Sequence, residues 1–111
     1  MPPRVFFVAE HKAHSIGLVY GRIDEKRREI AHLGAMWVEP AARHLGVGRA
    51  LIGAVIDWSR QRGAHQVVLD VTEGNAPAEQ LYASAGFERT KGTRELRTGS
   101  PLRIRALRLA L

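Results

Sequence analysis

The segment Arg43-His44-Leu45-Gly46-Val47-Gly48-Arg49 carries the plainest chemistry in this chain. It follows an apolar run, residues 30–38, that stops at Pro40, and it leads into a helix expected from about Arg49. Gly46 and Gly48 allow a tight turn whose amide N–H groups are not screened by side chains. The first N–H groups of a helix have no partner inside it, and the helix dipole adds partial positive charge there. A phosphate fits such a place. Arg49 agrees with this: a cation at a helix start is ordinarily unfavourable, and a bound anion would offset it. Two glycines by themselves suit an ordinary strand-to-helix turn equally well. Rival phosphate loops fit worse, because no Gly-Lys-Ser/Thr follows Gly48 and no third glycine completes a dinucleotide fingerprint. His11 and His14 share a turn without a third ligand at regular spacing, so they read as solvent-exposed and no metal site is expected.

The loop has a companion. Arg43-x-x-Gly46-x-Gly48 after Val38-x-Pro40 resembles the acyl-CoA pyrophosphate loop of the GNAT superfamily of N-acetyltransferases. The later block Asn75-Ala76-Pro77-Ala78-Glu79-Gln80-Leu81-Tyr82-Ala83-Ser84-Ala85-Gly86-Phe87 resembles that superfamily's Asn-x-x-Ala-x-x-Leu-Tyr-x-x-x-Gly-Phe segment. The resemblance covers residues 5–111. It implies an α+β fold on a mixed sheet: an antiparallel three-strand meander, then helix, parallel strand, helix and two C-terminal strands. It also implies that the sheet splays after the third strand and holds acyl-CoA in the gap. The implied activity is an acetyl-CoA-dependent N-acetyltransferase, moving the acetyl group to a primary amine by direct attack in a ternary complex. The alternative is an acyl-CoA-binding module for regulation or assembly, with little or no turnover.

The same resemblance distributes roles. Met36, Trp37 and Val38 would offer backbone groups to the pantetheine arm, and the Val38 N–H would also steady the oxyanion formed when an amine attacks the thioester. Arg43, His44, Leu45, Gly46, Val47, Gly48 and Arg49 would surround the pyrophosphate. Asn75 would hydrogen-bond the pantetheine or simply cap the second helix. Tyr82 would lie beside the sulfur and protonate the departing thiolate; a thiol titrates near ~8.5 and a phenol near ~10. Tyr82 would otherwise be a helix tyrosine packed on the core beside Leu81. For the base the expectation is Asp70, with Glu73 and His32 as alternatives, and each also has an ordinary structural reading. Superfamily members usually place a strand and two helices before the meander. Here that portion looks absent, which suggests an open site, a wall supplied by a second subunit, or an acyl-CoA site with weakened catalysis. An unpaired first strand would expose an edge, so a homodimer is expected.

Size and composition set the frame for these residues. At 111 residues the chain is expected to be a single domain, residues 1–111. The absence of cysteine excludes a disulfide framework, a thiolate metal site and a cysteine acyl-enzyme, and it suits a reducing cytoplasm. No apolar run approaches the ~20 residues of a membrane span, and residues 1–9 are too short a hydrophobic lead for a secretory signal. The net charge is +6, and most of it lies in residues 88–111, where seven Arg and Lys face only Glu88 and Glu95. Those arginines have no aromatic residues among them to stack on bases, so they read as a solvated strand pair rather than a nucleic-acid surface. By the resemblance, part of that charge would complement the anionic CoA.

The elements that must position the site follow from periodicity. Residues 5–9, 16–23 and 30–38 read as strands joined by a turn at 10–14 and a charged turn at 24–29, with Ile16, Leu18 and Tyr20 sharing one face. The helix over 49–62 repeats Leu51, Ile52, Val55, Ile56 and Ser59 at intervals of three and four, and Gly63 ends it. Residues 66–71 form a buried strand, and strand–helix–strand implies a parallel crossover. A second helix runs from Asn75 to Gly86, with Pro77 tolerated in its first turn. Residues 87–97 and 102–111 read as the last two strands. In the latter, Arg103 and Arg105 fall on the face of Leu107, Leu109 and Leu111, which requires either a bulge or arginines lying beyond the core.

Overall fold

The computed structural model describes residues 2–111. Its strands are β1 (Arg4–His11), β2 (His14–Ile23), β3 (Ile30–Val38), β4 (Gln66–Thr72), β5 (Glu88–Arg89), β6 (Arg94–Glu95) and β7 (Arg103–Ala110). Its helices are α1 (Val47–Gln61) and α2 (Ala76–Ser84), with a 3₁₀ turn over Pro40–Ala42. The seven strands form one mixed sheet in the order β1-β2-β3-β4-β7-β5, with β6 also on β7. β3 and β4 are parallel, joined through α1, and the other pairings are antiparallel. This is the expected α+β architecture.

The first hairpin is tighter than a five-residue turn. Lys12 and Ala13 take φ of 49° and 65°, the positive pair of a two-residue turn that matches the strand twist, so both strands run to the turn itself. Both helices lie on one face of the sheet. Val19, Ile23, Ala31, Leu33, Val67, Leu69 and Leu107 meet Leu51, Ile52, Val55 and Trp58 of α1 and Tyr82 of α2 in a single core. A Cβ on Gly17 would stand 3.0 Å from Leu51 Cδ1 and one on Gly21 3.2 Å from Val55 Cγ1, so two bare positions on β2 let α1 lie low on the sheet. Ile16, Leu18 and Tyr20 do share a face, but it is the opposite one, and they stay half-buried because no helix of the described chain covers it.

Two irregularities shape the sheet. β3 and β4 pair only at Ile30 with Gln66, Ala31 with Val67 and His32 with Val68, and beyond these the strands part. Just past that point β3 bulges: Ala35 and Met36 stand opposite Val19 alone, and Ala35 takes φ of 50°. A bulge adds twist and bend to a strand, here the strand that turns away from its neighbour. The second irregularity corrects the expectation of one strand over residues 87–97. The segment instead gives β5 and β6, because Thr90, Lys91, Gly92 and Thr93 stand opposite only Arg105 and Ala106. The register of β7 against β4 is unbroken. Arg105 therefore does lie on the core face. Its guanidinium donates to Thr90 O (2.8 Å) and Gly92 O (3.1 Å) in the looped-out segment and to Glu73 Oε1 at 3.1 Å. Arg103 is exposed and holds Thr93 O at 2.8 Å.

Candidate functional site

The loop between β3 and α1 is a run of unengaged amides. From His44 to Arg49 no backbone N–H donates to a backbone carbonyl; the first that does is Ala50, to Gly46 O at 3.0 Å. Gly46 is the N-cap of α1, with φ 83° and ψ 6°, no side chain caps the helix, and its first turn has no acidic residue. His44 also takes a left-handed φ, 70°. Successive amides with mixed left- and right-handed residues form a concavity that suits an anion, and the helix start adds its dipole. Non-glycine residues at positive φ cost energy and concentrate at ligand clamps. The helix begins at Val47, two residues before the expected Arg49, because the left-handed Gly46 is already its N-cap.

Gly48 is then inside the first helical turn, and its role is steric. A Cβ there would come 2.9 Å from Leu81 Cδ2 and 3.8 Å from Val38 Cγ2. The start of α1, the middle of α2 and the end of β3 thus meet at one point. Arg49 Nη1 reaches Ser84 Oγ at 3.3 Å, a second link from α1 to α2. Leu45 is an apolar side chain left 74% exposed at the loop's tip.

The end of β3 borders the gap. Glu39 N–H donates to Ile16 O at 2.8 Å. Backbone groups alternate sides along an antiparallel strand, so Val38 turns its N–H and C=O away from β2, towards the side where β4 has parted. Arg43 Nε donates to Val38 O at 3.4 Å, which brings the guanidinium to the same opening. Met36 and Val38 are half-buried against the core, and Trp37, in register with Leu18, is 44% exposed on the uncovered face.

Across the gap, Asn75 caps α2, its side chain accepting from Ala78 N–H at 3.4 Å. Tyr82 lies on the covered face, 7% exposed, with its ring edge-on to Phe87 at 5.9 Å. Burial raises its phenol above the ordinary value of 10.0, because the phenolate would lose hydration. Asp70 is on the other face. Its neighbours Leu69 and Val71 are buried while it is exposed, and it pairs with Ala106. Arg94 Nη2 holds Asp70 Oδ2 at 2.7 Å, and this partner carries no sequence signal short of the three-dimensional pairing of β6 with β7. Glu73 is engaged by Arg105 and, at 3.9 Å, by Arg89. His32 Nε2 lies 2.8 Å from Asp24 Oδ1. That hydrogen bond, with the N–H groups of Arg27 and Lys26, lowers the Asp24 carboxyl from 3.8 to about 2. The three base candidates are therefore separately partnered rather than gathered at Tyr82. A cavity of about 300 Å³ lies behind α2, lined by Ala76, Ala83, Phe87 and Arg89 among others, and the loop amides take no part in it.

Comparison with known proteins identifies the family. The model of the Acetyltransferase (GNAT) family matches residues 1–87. The chain belongs to the GNAT family. A mycothiol acetyltransferase of Thermobispora bispora is 36% identical over 91 residues, covering 78% of this chain and 31% of the relative. A crystal structure of nourseothricin acetyltransferase superposes with a TM-score of 0.87 at 28% identity, over 96% of this chain and 65% of that one. A Salmonella typhimurium structure solved with its cofactor acetyl-CoA superposes with a TM-score of 0.82 at 26% identity, over 96% of this chain and 64% of that one. This GNAT chain spans about a third of the length of the curated relatives it matches. Among its described residues no three His, Asp or Glu are grouped to hold a metal, and no helix is long and apolar enough to cross a membrane.

Proposed function

We propose that this chain binds acetyl-CoA and transfers its acetyl group to a primary amine by direct attack in a ternary complex. The observation that carries the reading is the run of six unengaged amides at the start of α1, beside a gap between β3 and β4. The amides of residues 44–49 take the pyrophosphate, with Arg43 and Arg49 at its rim. The pantetheine arm runs in the gap along Met36, Trp37 and Val38, and Asn75 borders it on the α2 side.

In the chemical step the amine nitrogen bonds to the thioester carbonyl carbon. The Val38 N–H stabilises the oxyanion. The carbon–sulfur bond then breaks, and the Tyr82 hydroxyl gives its proton to the leaving thiolate. A phenol raised by burial stays protonated at neutral pH, which keeps the donor charged with its proton. The acceptor's ammonium first gives one proton to Asp70, directly or through water, so that a neutral amine attacks, and the second proton leaves the nitrogen of the tetrahedral adduct to water. An incoming ammonium can replace Arg94 as the counter-ion of Asp70, because both are cations on the uncovered face. A chain without cysteine suits the reducing cytoplasm in which we place this reaction.

The test is titration calorimetry with acetyl-CoA, followed by measurement of free CoA released in the presence of a panel of primary amines. Binding with amine-dependent release is expected. Binding without release from any amine would replace the transferase by an acyl-CoA-binding module, and no binding would sink both.

A further inference from the structure

A second cavity, of about 180 Å³, adjoins Asp70. Its floor is Ile104 and Ala106 of β7, and its wall is the looped-out segment 90–93 with Arg94 of β6. Ala106 stands opposite Asp70, and Ile104 opposite Arg94. Paired residues, and alternate residues of one strand, share a face. The cavity therefore borders the Asp70–Arg94 ion pair. It is built from the chain between β5 and β7 and takes nothing from β1 or β2.

The wall is fastened through its carbonyls. Arg105 donates to Thr90 O and Gly92 O, Arg103 donates to Thr93 O at 2.8 Å, and Thr90 Oγ1 donates to Ala106 O at 2.8 Å. With those carbonyls engaged, the wall has donors left to offer. The N–H groups of Lys91, Gly92 and Thr93 donate to no backbone carbonyl, and Gly92 takes φ of 75°. Consecutive free amides around a left-handed residue suit an anion. Lys91 and Arg94 add two positive charges, and no Asp or Glu lines the cavity.

Arg94 has Asp70 as its counter-ion at 2.7 Å, in a pair whose side chains are 59% and 49% exposed. An exposed pair is worth no more than ~1 kcal/mol, so it exchanges partners readily. An ammonium arriving alone would take Asp70 and leave Arg94 beside Lys91 without a counter-ion. An acceptor that brings an anion with its amine closes both halves of the exchange. Because Asp70 and Arg94 now touch, the two charges of such an acceptor lie only a few bonds apart. Pockets for drug-sized ligands run to roughly 300–1,000 Å³, so this smaller cavity suits a molecule of amino-acid size.

We infer that the acetyl acceptor is a small zwitterion: a primary amine with a carboxylate a few bonds from its nitrogen. Its ammonium meets Asp70, and its carboxylate meets Arg94 and Lys91. A planar guanidinium binds a carboxylate through two parallel N–H donors. The inference rests on the acetyl-transfer reading and names the substrate class for it.

The test is CoA release by the 111-residue chain from acetyl-CoA with matched acceptors, L-alanine and β-alanine, each beside its carboxamide. The amides keep the amine and lose the negative charge. For at least one of the two amino acids, kcat/KM is expected to exceed that of its amide roughly tenfold or more. Lys91→Gln and Arg94→Gln are each expected to pull that ratio towards one, chiefly by raising KM for the amino acid. Both positions are exposed, and far-ultraviolet circular dichroism checks that each variant keeps the fold. Release no greater from the amino acids than from their amides or other plain amines would overturn the inference and leave acetyl transfer standing. A preference that survives both substitutions would do the same. No release from any amine would overturn the acetyl-transfer reading itself, and the inference with it.

Discussion

The two faces of this sheet do different work. The covered face is dry, with Val19, Ala31 and Val67 fully buried beneath α1 and α2, and Tyr82 is buried in the same core. The uncovered face carries Asp24 with His32, Asp70 with Arg94, and the aromatic surface of Phe6, Tyr20 and Trp37. Burial disfavours the charged form of Tyr82 on the first face, while hydrogen bonds from His32 and from the Arg27 and Lys26 amides favour the charged form of Asp24 on the second. The parting of β3 and β4 opens one face to the other, so under the proposed mechanism a thioester threaded there would meet a proton donor on one side and an amine on the other.

Tyr82→Phe tests the covered side most severely. Under the proposed mechanism it is expected to lower CoA release about 10²–10⁴-fold while leaving acetyl-CoA affinity unchanged, by steady-state assay beside calorimetry. An unaffected rate would make Tyr82 a packing residue. The same burial has a pH consequence. The folded-state phenol titrates above 10.0, so the fold loses stability as pH rises past that value, and thermal melts of the Phe variant should lack this component.

On the uncovered side, Asp70→Asn is expected to lower turnover about tenfold or more. It and Arg94→Gln break the same exposed ion pair, so each should alter stability by no more than ~1 kcal/mol. Equal turnover in the Asn variant would assign proton removal to another group. At the junction of the faces, Gly48→Val pushes β-branched bulk towards Leu81 and is expected to destabilise by about 1–3 kcal/mol in denaturant titration. An unshifted midpoint would mean that α2 yields freely.

Two smaller effects sharpen the contrast. Ala35→Gly relieves a left-handed alanine in the bulge at a cost in unfolded-state entropy. The net gain in unfolding free energy is expected to stay within about 1 kcal/mol, and a loss would show that the alanine methyl matters to the bulge. Asp24 ionises near 2 in the folded chain instead of 3.8. Its stabilisation is complete above that ordinary value and fades as pH falls through about 2. His32→Gln removes the largest cause of the lowering, so the variant should lose less stability on acidification across that window. Identical acid profiles would deny the pair any role in stability.

Much of this was legible because local patterns dominate it. An apolar run stopping at Pro40 fixed β3 residue for residue, helical spacing marked the buried stripe of α1, and Asn75 before Pro77 announced the start of α2. Trp58, buried on that stripe beneath the Arg62 guanidinium, escaped notice, since tryptophan packs on either surface or core. The clash of Arg103 and Arg105 with the leucine alternation signalled an irregularity near the C-terminus. It could not say that the extra residues lie in the partner segment, because register is a property of two strands.

The sequence by itself determined the order and kind of the elements as far as α2, the glycine-bearing loop and the family, all of which rest on near neighbours in the chain. Tertiary structure alone decided that Tyr82 and Asp70 face opposite sides of the sheet, that Gly48 is bare for the sake of Leu81, that Arg94 holds Asp70, and that Ile16, Leu18 and Tyr20 look away from the helices. The physical reason is common to all four. Which face of a strand is covered depends on where a distant helix packs, and no local periodicity records that choice.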